Sequence, residues 1–473
     1  IYSIYMKIFE LKRMADYCGF VSLIQHVEVR SAAGRKLLQN TEFCVDTSII
    51  SLELTNTQRV ISLLGHDANK KSINTLYQLF SDTKDIENTL LGLCNSKIMN
   101  DIELFEIKQF AFNAKKILEI ILQMLDNKLF DCKYEIDFAI SDFDEVIKIL
   151  DPENTCVPTF YIYSAYSKTL QSLREQERQN KNEHELSVIQ VRIFEIEQQI
   201  REELSRRLKP YSAKFLNALK TVAYIDLLFA KAEFALEFDM CKPEISTDTT
   251  DYKAIFNPEV KQSLEKSGRR YQCIDIVFGH FPTLITGINM GGKTLMLKTL
   301  AISQLLFQYG FYVPATDANI TIVDDVMYSF TDEQDQVQGL SSFASEMKRI
   351  DEIISTIDTN PRVLVLIDEL ARTTNPKEGA AIVSAMLDIL QEREVSSFIT
   401  THYDIETSCR RLRVKGLKDE VMAGNNLNIT YIQKAIDYNL IDDVSQGTPN
   451  EAIRIAEMLG INKRLIERAK SLI

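Results

Sequence analysis

Eight residues beyond the middle of the chain have the types and order that hold a polyphosphate. "GINMGGKT", Gly287 to Thr294, fits G-x-x-x-x-G-K-[ST], follows the apolar run "TLIT" and opens an amphipathic stretch. Backbone N–H groups of such a loop and of the helix start after it face phosphate oxygens, so Gly287, Asn289, Met290, Gly291 and Gly292 are expected to line the anion. Lys293 is expected at the β- and γ-phosphates of ATP, and the Thr294 hydroxyl on Mg2+. A glycine turn that merely starts a helix is the weaker reading in this strand-loop-helix setting. A second element, "PRVLVLIDEL", ends an apolar run on Asp368 and Glu369. A buried strand of this kind delivers two carboxylates at its C-terminal end, Asp368 to hold Mg2+ through water and Glu369 to orient or polarise the attacking water. A helix-capping acidic pair would not explain the apolar strand before it. A third element, "SSFITTHYD", brings Thr400, Thr401 and His402 to another strand end. Alone, His402 reads as a structural hydrogen-bonding residue; beside Lys293 and Glu369 the preferred reading is a catalytic contact to the γ-phosphate or the water.

These side chains need strands and helices to carry them. After Pro243 the apolar runs "CIDIVFG", "PTLITG", "RVLVLIDEL" and "SSFITTHY" alternate with helical stretches, which argues for an α/β domain with a mostly parallel sheet. Residues 244–270 read as polar and loop-rich. Everything before is helix after helix: residues 86–125 show apolar residues at three- and four-residue spacing, and residues 215–238 form another apolar-striped helix. "DPENTCVPTFYIYSAYS" interrupts them, with a short strand expected at Val157 to Tyr163. Between about 165 and 210 Leu186, Ile189, Ile193, Ile196, Ile200 and Leu204 recur at threes and fours, the seam of a coiled hairpin arm. Its charges balance, which favours a solvated strut over a DNA-touching surface. The expected fold is α plus α/β and multidomain: helical residues 1–243, then a P-loop domain over 244–473.

Composition agrees with this size and sets limits on partners. A chain of 473 residues, 45% hydrophobic and 26% charged, exceeds one compact core, so two or three domains are expected. No apolar run reaches a membrane span and the N-terminus lacks signal-peptide character, so a cytoplasmic location is expected. The sequence begins at Ile1 rather than Met, so upstream residues are expected. Eight scattered cysteines without C-x-x-C spacing are expected to be reduced and mostly buried. The net charge of −13 gives no global basic signal for nucleic acid, although a local basic groove remains compatible with it.

Taken together, "TGINMGGKT", "LIDELARTTNPKEG" and "TTHYD" resemble the ATPase domain of the MutS family, an ABC-type ATPase group. The spacing from Asp368 to Gly379 matches the family's DELGRGTSTxDG and DELGAGTDPxEG patterns without a gap. "LSSFASEM" resembles the family's signature core, which implies that Ser341 and Ser342 help complete the nucleotide site of an opposite subunit in a homodimer. "DEVIKILDPENTCVPTFYIYSAYS" resembles the lever-and-clamp region, and "EAIRIAEMLGINKRLIERAKSLI" the closing helical dimerisation segment. No segment here resembles the family's mismatch-reading domain or its nuclease-like Smr domain. Ile288 replaces the proline of the family loop, and Ala371 and Thr373 replace two glycines. "QCIDI", Gln272 to Ile276, sits where relatives contact adenine. The resemblance implies lever arms that close on double-stranded DNA in repair or recombination. An alternative client is a protein: "DELARTTNP", the acidic charge and the missing mismatch domain also resemble the ATPase subunit of factors that reactivate a cobalamin-dependent lysine aminomutase.

Overall fold

The protein is described from a computed structural model over residues 7–8, 18–126, 130–131, 139–155, 160–287, 291–330, 342–417, 436–443, 453, 456–457 and 460–472. It divides into two compact units, Val27–Thr41 with Thr55–Glu233, and Ile1–His26 with Glu42–Leu54 and Phe234–Ile473. A single cut near residue 243 does not describe this division, because two N-terminal stretches pack into the second unit. Phe20 stacks on Tyr309 with ring centroids 5.4 Å apart, and the Cys44 N–H donates to the Gln308 carbonyl at 2.9 Å.

The first unit is helical. Its core is built by apolar residues such as Leu104, Phe110, Ile117, Phe215 and Leu228. The stretch with helical spacing over 86–125 holds two helices, Glu87–Cys94 and Asp101–Met124. Asn100 starts the second: its side chain accepts from the Glu103 N–H at 2.9 Å while Glu103 accepts from the Asn100 N–H at 3.0 Å. Such a reciprocal cap satisfies donors that a helix start leaves open. Helices Lys168–Gln179 and Glu183–Leu208 pack on one another as the expected hairpin. Ile193, Ile200 and Leu204 of the seam are buried and Leu186, Ile189 and Ile196 half-buried, whereas Val188, Val191 and Phe194 off the seam are exposed. Arg174 ties the two helices by donating to Glu197 at 2.8 Å. The short strand expected at 157–163 is not found: residues 160–163 pair with no strand, and 157–159 lie outside the described residues. Aromatic packing accounts for the apolar run instead, with Phe160, Tyr161 and Tyr166 all in ring contact with Tyr163.

The second unit is mixed α/β. Residues 244–270 are not a loop but hold strands β1 (Glu244–Ser246) and β2 (Thr250–Ile255) and helix Pro258–Lys266. The inward positions of β2 include Thr250 and Tyr252, which hide its period-two pattern, and Asn257 caps the helix with Pro258 following it. With β3 (Ile274–Phe278) and β5 (Asp317–Thr321) they form a four-stranded sheet in the order β1-β5-β2-β3. The larger sheet contains β4 (Pro282–Thr286), β6 (Asp325–Ser329), β7 (Val363–Ile367), β8 (Ser396–Thr400), β9 (Arg410–Leu417) and β10 (Ile436–Asp442). Its order is β10-β9-β4-β8-β7-β6, parallel except for the β9–β10 pair. Strands β4, β7 and β8 are buried at every position, as near-continuous apolar runs between helical layers should be. Among the described residues no helix is long and apolar enough to cross a membrane. Six described cysteines are free, but only Cys18 and Cys409 are fully buried; the other four are half-buried, and Cys132 and Cys156 lie outside the described residues.

Candidate functional site

The loop expected to hold phosphate leaves the C-terminal end of β4 at Gly287. Gly287 has φ +125°, and a Cβ there would sit 3.1 Å from the Val414 side chain and 3.2 Å from its backbone nitrogen. Gly292 stands in the left-handed region at φ +74° as the residue before helix Lys293–Gln308. Both positions need glycine because an L side chain would be strained or would collide. Lys293 is buried and donates from Nζ to the Gly287 carbonyl at 2.8 Å. Burial lowers its pKa, opposed by the charges of Glu369 and Asp368. A desolvated ammonium held at a helix N-terminus is a strong attractor for anionic oxygens. Asn289 and Met290, with Ile288, lie outside the described residues.

Strand order brings the other motifs to this point. Because β8 lies between β4 and β7, and Ile399 registers with Ile367, the residues one step beyond them, Thr400 and Asp368, meet side by side. The Asp368 carboxylate accepts from the Thr294 hydroxyl at 2.7 Å on one oxygen and from the Thr400 hydroxyl at 2.6 Å on the other. Among the described residues no group of three or more His, Cys, Asp and Glu side chains is placed to hold a metal. The donor set instead fits Mg2+ of the nucleotide-bound kind, in which one hydroxyl and one carboxylate are supplemented by phosphate oxygens and water.

Glu369 is next, and its backbone is unusual. It has φ +49° and Ala371 has φ +59°, two non-glycine residues in the left-handed region within three positions. The surroundings hold them there. The Glu369 N–H donates to Thr400 Oγ1 at 2.8 Å, the Ala371 N–H to Glu346 at 2.9 Å, and the Tyr403 hydroxyl to the Ala371 carbonyl at 2.7 Å. Burial pushes the Glu346 carboxyl above its ordinary value, although the Ala371 bond works against this. The Glu369 carboxylate accepts from Arg372 at 2.7 Å. Gly379 lies so close to Tyr403 that a Cβ would overlap its ring and hydroxyl. His402 is exposed, its ring 4.2 Å from that of Tyr403. Of the signature serines, Ser342 is the first residue of helix Ser342–Thr359 and Ser341 lies outside the described residues.

A cleft of about 630 Å³ opens beside the loop, with Gly291, Gly292 and Lys293 at its polar end and apolar residues such as Ile255, Leu295 and Met296 along it. Gln272 and Ile274, from the stretch suspected of reading adenine, line it, as do Tyr271 and Tyr438. Gln272 donates to Asp437 at 2.7 Å, and Lys415 pairs with the same carboxylate at 3.1 Å. Burial raises the Asp437 pKa, but the Gln272 bond, the Asn439 N–H and Lys415 together hold it below its usual range. The sequence did not single out Tyr438, Thr400's bonding, Glu346 or Tyr403. For Tyr438 the signal was the alternating run "AIDYNLID"; for the others it was only their closeness to a motif.

The family model for MutS domain V matches residues 283–473, from β4 to the end of the chain. Over these residues, and not over the chain as a whole, the protein is similar to the MutS family. Among curated proteins it is similar to "Endonuclease MutS2" of Ligilactobacillus salivarius, 33% identical over 282 residues that cover 58% of this chain and 33% of that protein. The namesake of Caldanaerobacter subterraneus subsp. tengcongensis is 33% identical over 273 residues, 57% of this chain and 32% of its own. That of Pediococcus pentosaceus is 32% identical over 298 residues, 61% and 35% respectively. The matched part is thus about a third of each relative's length. Within the MutS pattern, Ala371 stands at a glycine position and keeps the glycine-like conformation despite its Cβ.

Proposed function

We propose that this chain is a MutS-like ATPase that binds ATP with Mg2+ at the ends of β4, β8 and β7, hydrolyses it at composite sites in a homodimer, and uses the cycle to close helical lever arms on double-stranded DNA. The observation that carries the ATPase part is the strand order, which gathers Lys293, Thr294, Asp368 and Glu369 at one sheet edge. Open α/β sheets bind ligands at that edge. In this reading the glycine loop and Lys293 hold the β- and γ-phosphates, and the cleft lined by Tyr271 and Tyr438 takes the base. Thr294 and Asp368 would hold Mg2+, which would supply charge neutralisation at the phosphate oxygens. Glu369 releases Arg372 and orients the attacking water, with His402 near the γ-phosphate. Ser341 and Ser342 complete the opposite subunit's site, in keeping with the MutS signature resemblance.

The DNA part rests on the MutS resemblance and on the hairpin arm, and it is separable from hydrolysis by experiment. Phosphate release from MgATP is measured for the purified chain alone and with duplex, mismatched or four-way-junction DNA at moderate salt. Multiple turnover, lost in Lys293→Ala, is the expected result, together with DNA binding that changes the rate. DNA that neither binds nor alters turnover removes DNA as the client while leaving the ATPase reading intact. A co-purifying aminomutase regaining activity with ATP would put a protein in its place.

A further inference from the structure

One buried hydroxyl links the two carboxylate-bearing residues of the site. Thr400 is wholly out of solvent at the end of β8. It donates to Asp368 Oδ1 at 2.6 Å and accepts from the Glu369 N–H at 2.8 Å. A hydroxyl has a single hydrogen to give, and here it is committed to a carboxylate, leaving a lone pair for the amide. Bonds of this charge-assisted kind are short and strong.

We propose that Thr400 is a positioning residue for hydrolysis: its hydroxyl fixes the rotation of the Asp368 carboxylate and anchors the backbone of Glu369, so the metal-holding and water-orienting groups keep a set separation. The inference rests on the ATPase reading above. The terminal torsion of an aspartate is broad, and the Thr294 bond alone constrains only one of its oxygens. With Thr400 on Oδ1, Oδ2 stays turned to Thr294, the other side chain suited to the metal. The second bond acts on Glu369, whose left-handed backbone persists only where surrounding contacts over-determine it. A β-branched residue suits the place, because its methyl fills the sheet interior and its χ1 is stiff. Register makes the link possible: Thr401 N–H donates to the Ile285 carbonyl at 3.2 Å, which seats the end of β8 against the strand leading into the phosphate loop.

Valine keeps the shape of Thr400 and removes both bonds. In Thr400→Val the expected result is a kcat lower by about 10- to 100-fold, as for other groups that orient a metal's ligands. KM for ATP should stay within a few-fold, and half-maximal rate should need more Mg2+. Thr400→Ser should recover most of kcat. Thermal melting checks folding, and Thr400→Ala, which also lacks the hydroxyl but cannot overpack, serves if valine is not tolerated. In a Glu369→Gln background, loss of the hydroxyl should still weaken MgATP binding relative to ATP alone, which isolates the Asp368 arm. Folded hydroxyl-free variants with wild-type kcat and Mg2+ dependence would overturn the proposal even if they melt earlier. A wild-type chain without ATP turnover would overturn both this proposal and the ATPase reading, whereas an active wild type with unaffected variants overturns the positioning role alone.

Discussion

Each unit buries a polar network around a carboxylate, and the two differ in what surrounds them. In the helical unit Lys108 donates to the Tyr163 hydroxyl at 2.9 Å, Tyr163 donates to Asp151 at 3.0 Å, and Lys108 lies 3.4 Å from Asp151, with both charged side chains at most 2% exposed. Aromatic rings pack around Tyr163 and Thr155 adds a bond to Asp151 at 2.8 Å. In the α/β unit Thr294, Asp368 and Thr400 form a network just as short, but it stands at the end of three strands, and neighbouring Lys293 lines a cleft. The first network is enclosed by its own unit. The second borders open space: Thr294 is exposed, and Lys293 beside it lines a cleft large enough for a nucleotide. Burial of a charged group therefore does not by itself mark chemistry; the open side does.

The comparison predicts opposite outcomes for mutations in the two places. The largest effect is on turnover: Glu369→Gln should cut ATP hydrolysis by about 10²- to 10⁴-fold, the range for losing a positioned base, with little change in melting temperature. Asp151→Ala should do the reverse, leaving turnover per folded molecule intact while costing about 3–5 kcal/mol of stability, because it strands a buried lysine charge. Chemical unfolding followed alongside phosphate release reads both, and a turnover defect in folded Asp151→Ala would break the distinction.

Smaller changes sharpen it within the site. Gly379→Ala should displace Tyr403 from the Ala371 carbonyl and cost about 1–3 kcal/mol, the usual range for overpacking. Ala371→Gly should stabilise the chain by up to about 1 kcal/mol, since glycine relieves the left-handed penalty but gives back part of it as chain entropy. A melting temperature that falls in Ala371→Gly would mean the Cβ contributes more by packing than it costs by strain.

Much of the candidate site was legible because the phosphate chemistry proposed for it needs particular residues close together in sequence. The glycines, Lys293 and Thr294 sit within eight positions, and Asp368 and Glu369 end an unmistakable apolar run. The order of strands was not legible: nothing in the sequence says that β8 inserts between β4 and β7, and Thr400's link to Asp368 depends on that insertion. The wall carrying Tyr438 was hidden for a similar reason, since β10 pairs antiparallel with β9. Strand β1 was missed because it is three residues long with no buried position, and β2 because threonine and tyrosine fill inward positions that a hydrophobicity pattern expects to be aliphatic. The helix start at Asn100 rests on a reciprocal cap, local hydrogen bonding that apolar periodicity does not register. In the helical arm periodicity alone sufficed, since a two-helix seam is defined by spacing.

The claim that this sheet edge turns over ATP is tested most directly by what nucleotide Glu369→Gln retains. The variant is incubated with radiolabelled MgATP, separated from free nucleotide, and its bound nucleotide is extracted and identified. The account predicts unhydrolysed ATP on the variant and ADP on the wild type, because Lys293 and the glycine loop still hold the phosphates when the water is no longer oriented. ADP on the variant at the wild-type rate, or no bound nucleotide at all, would contradict it.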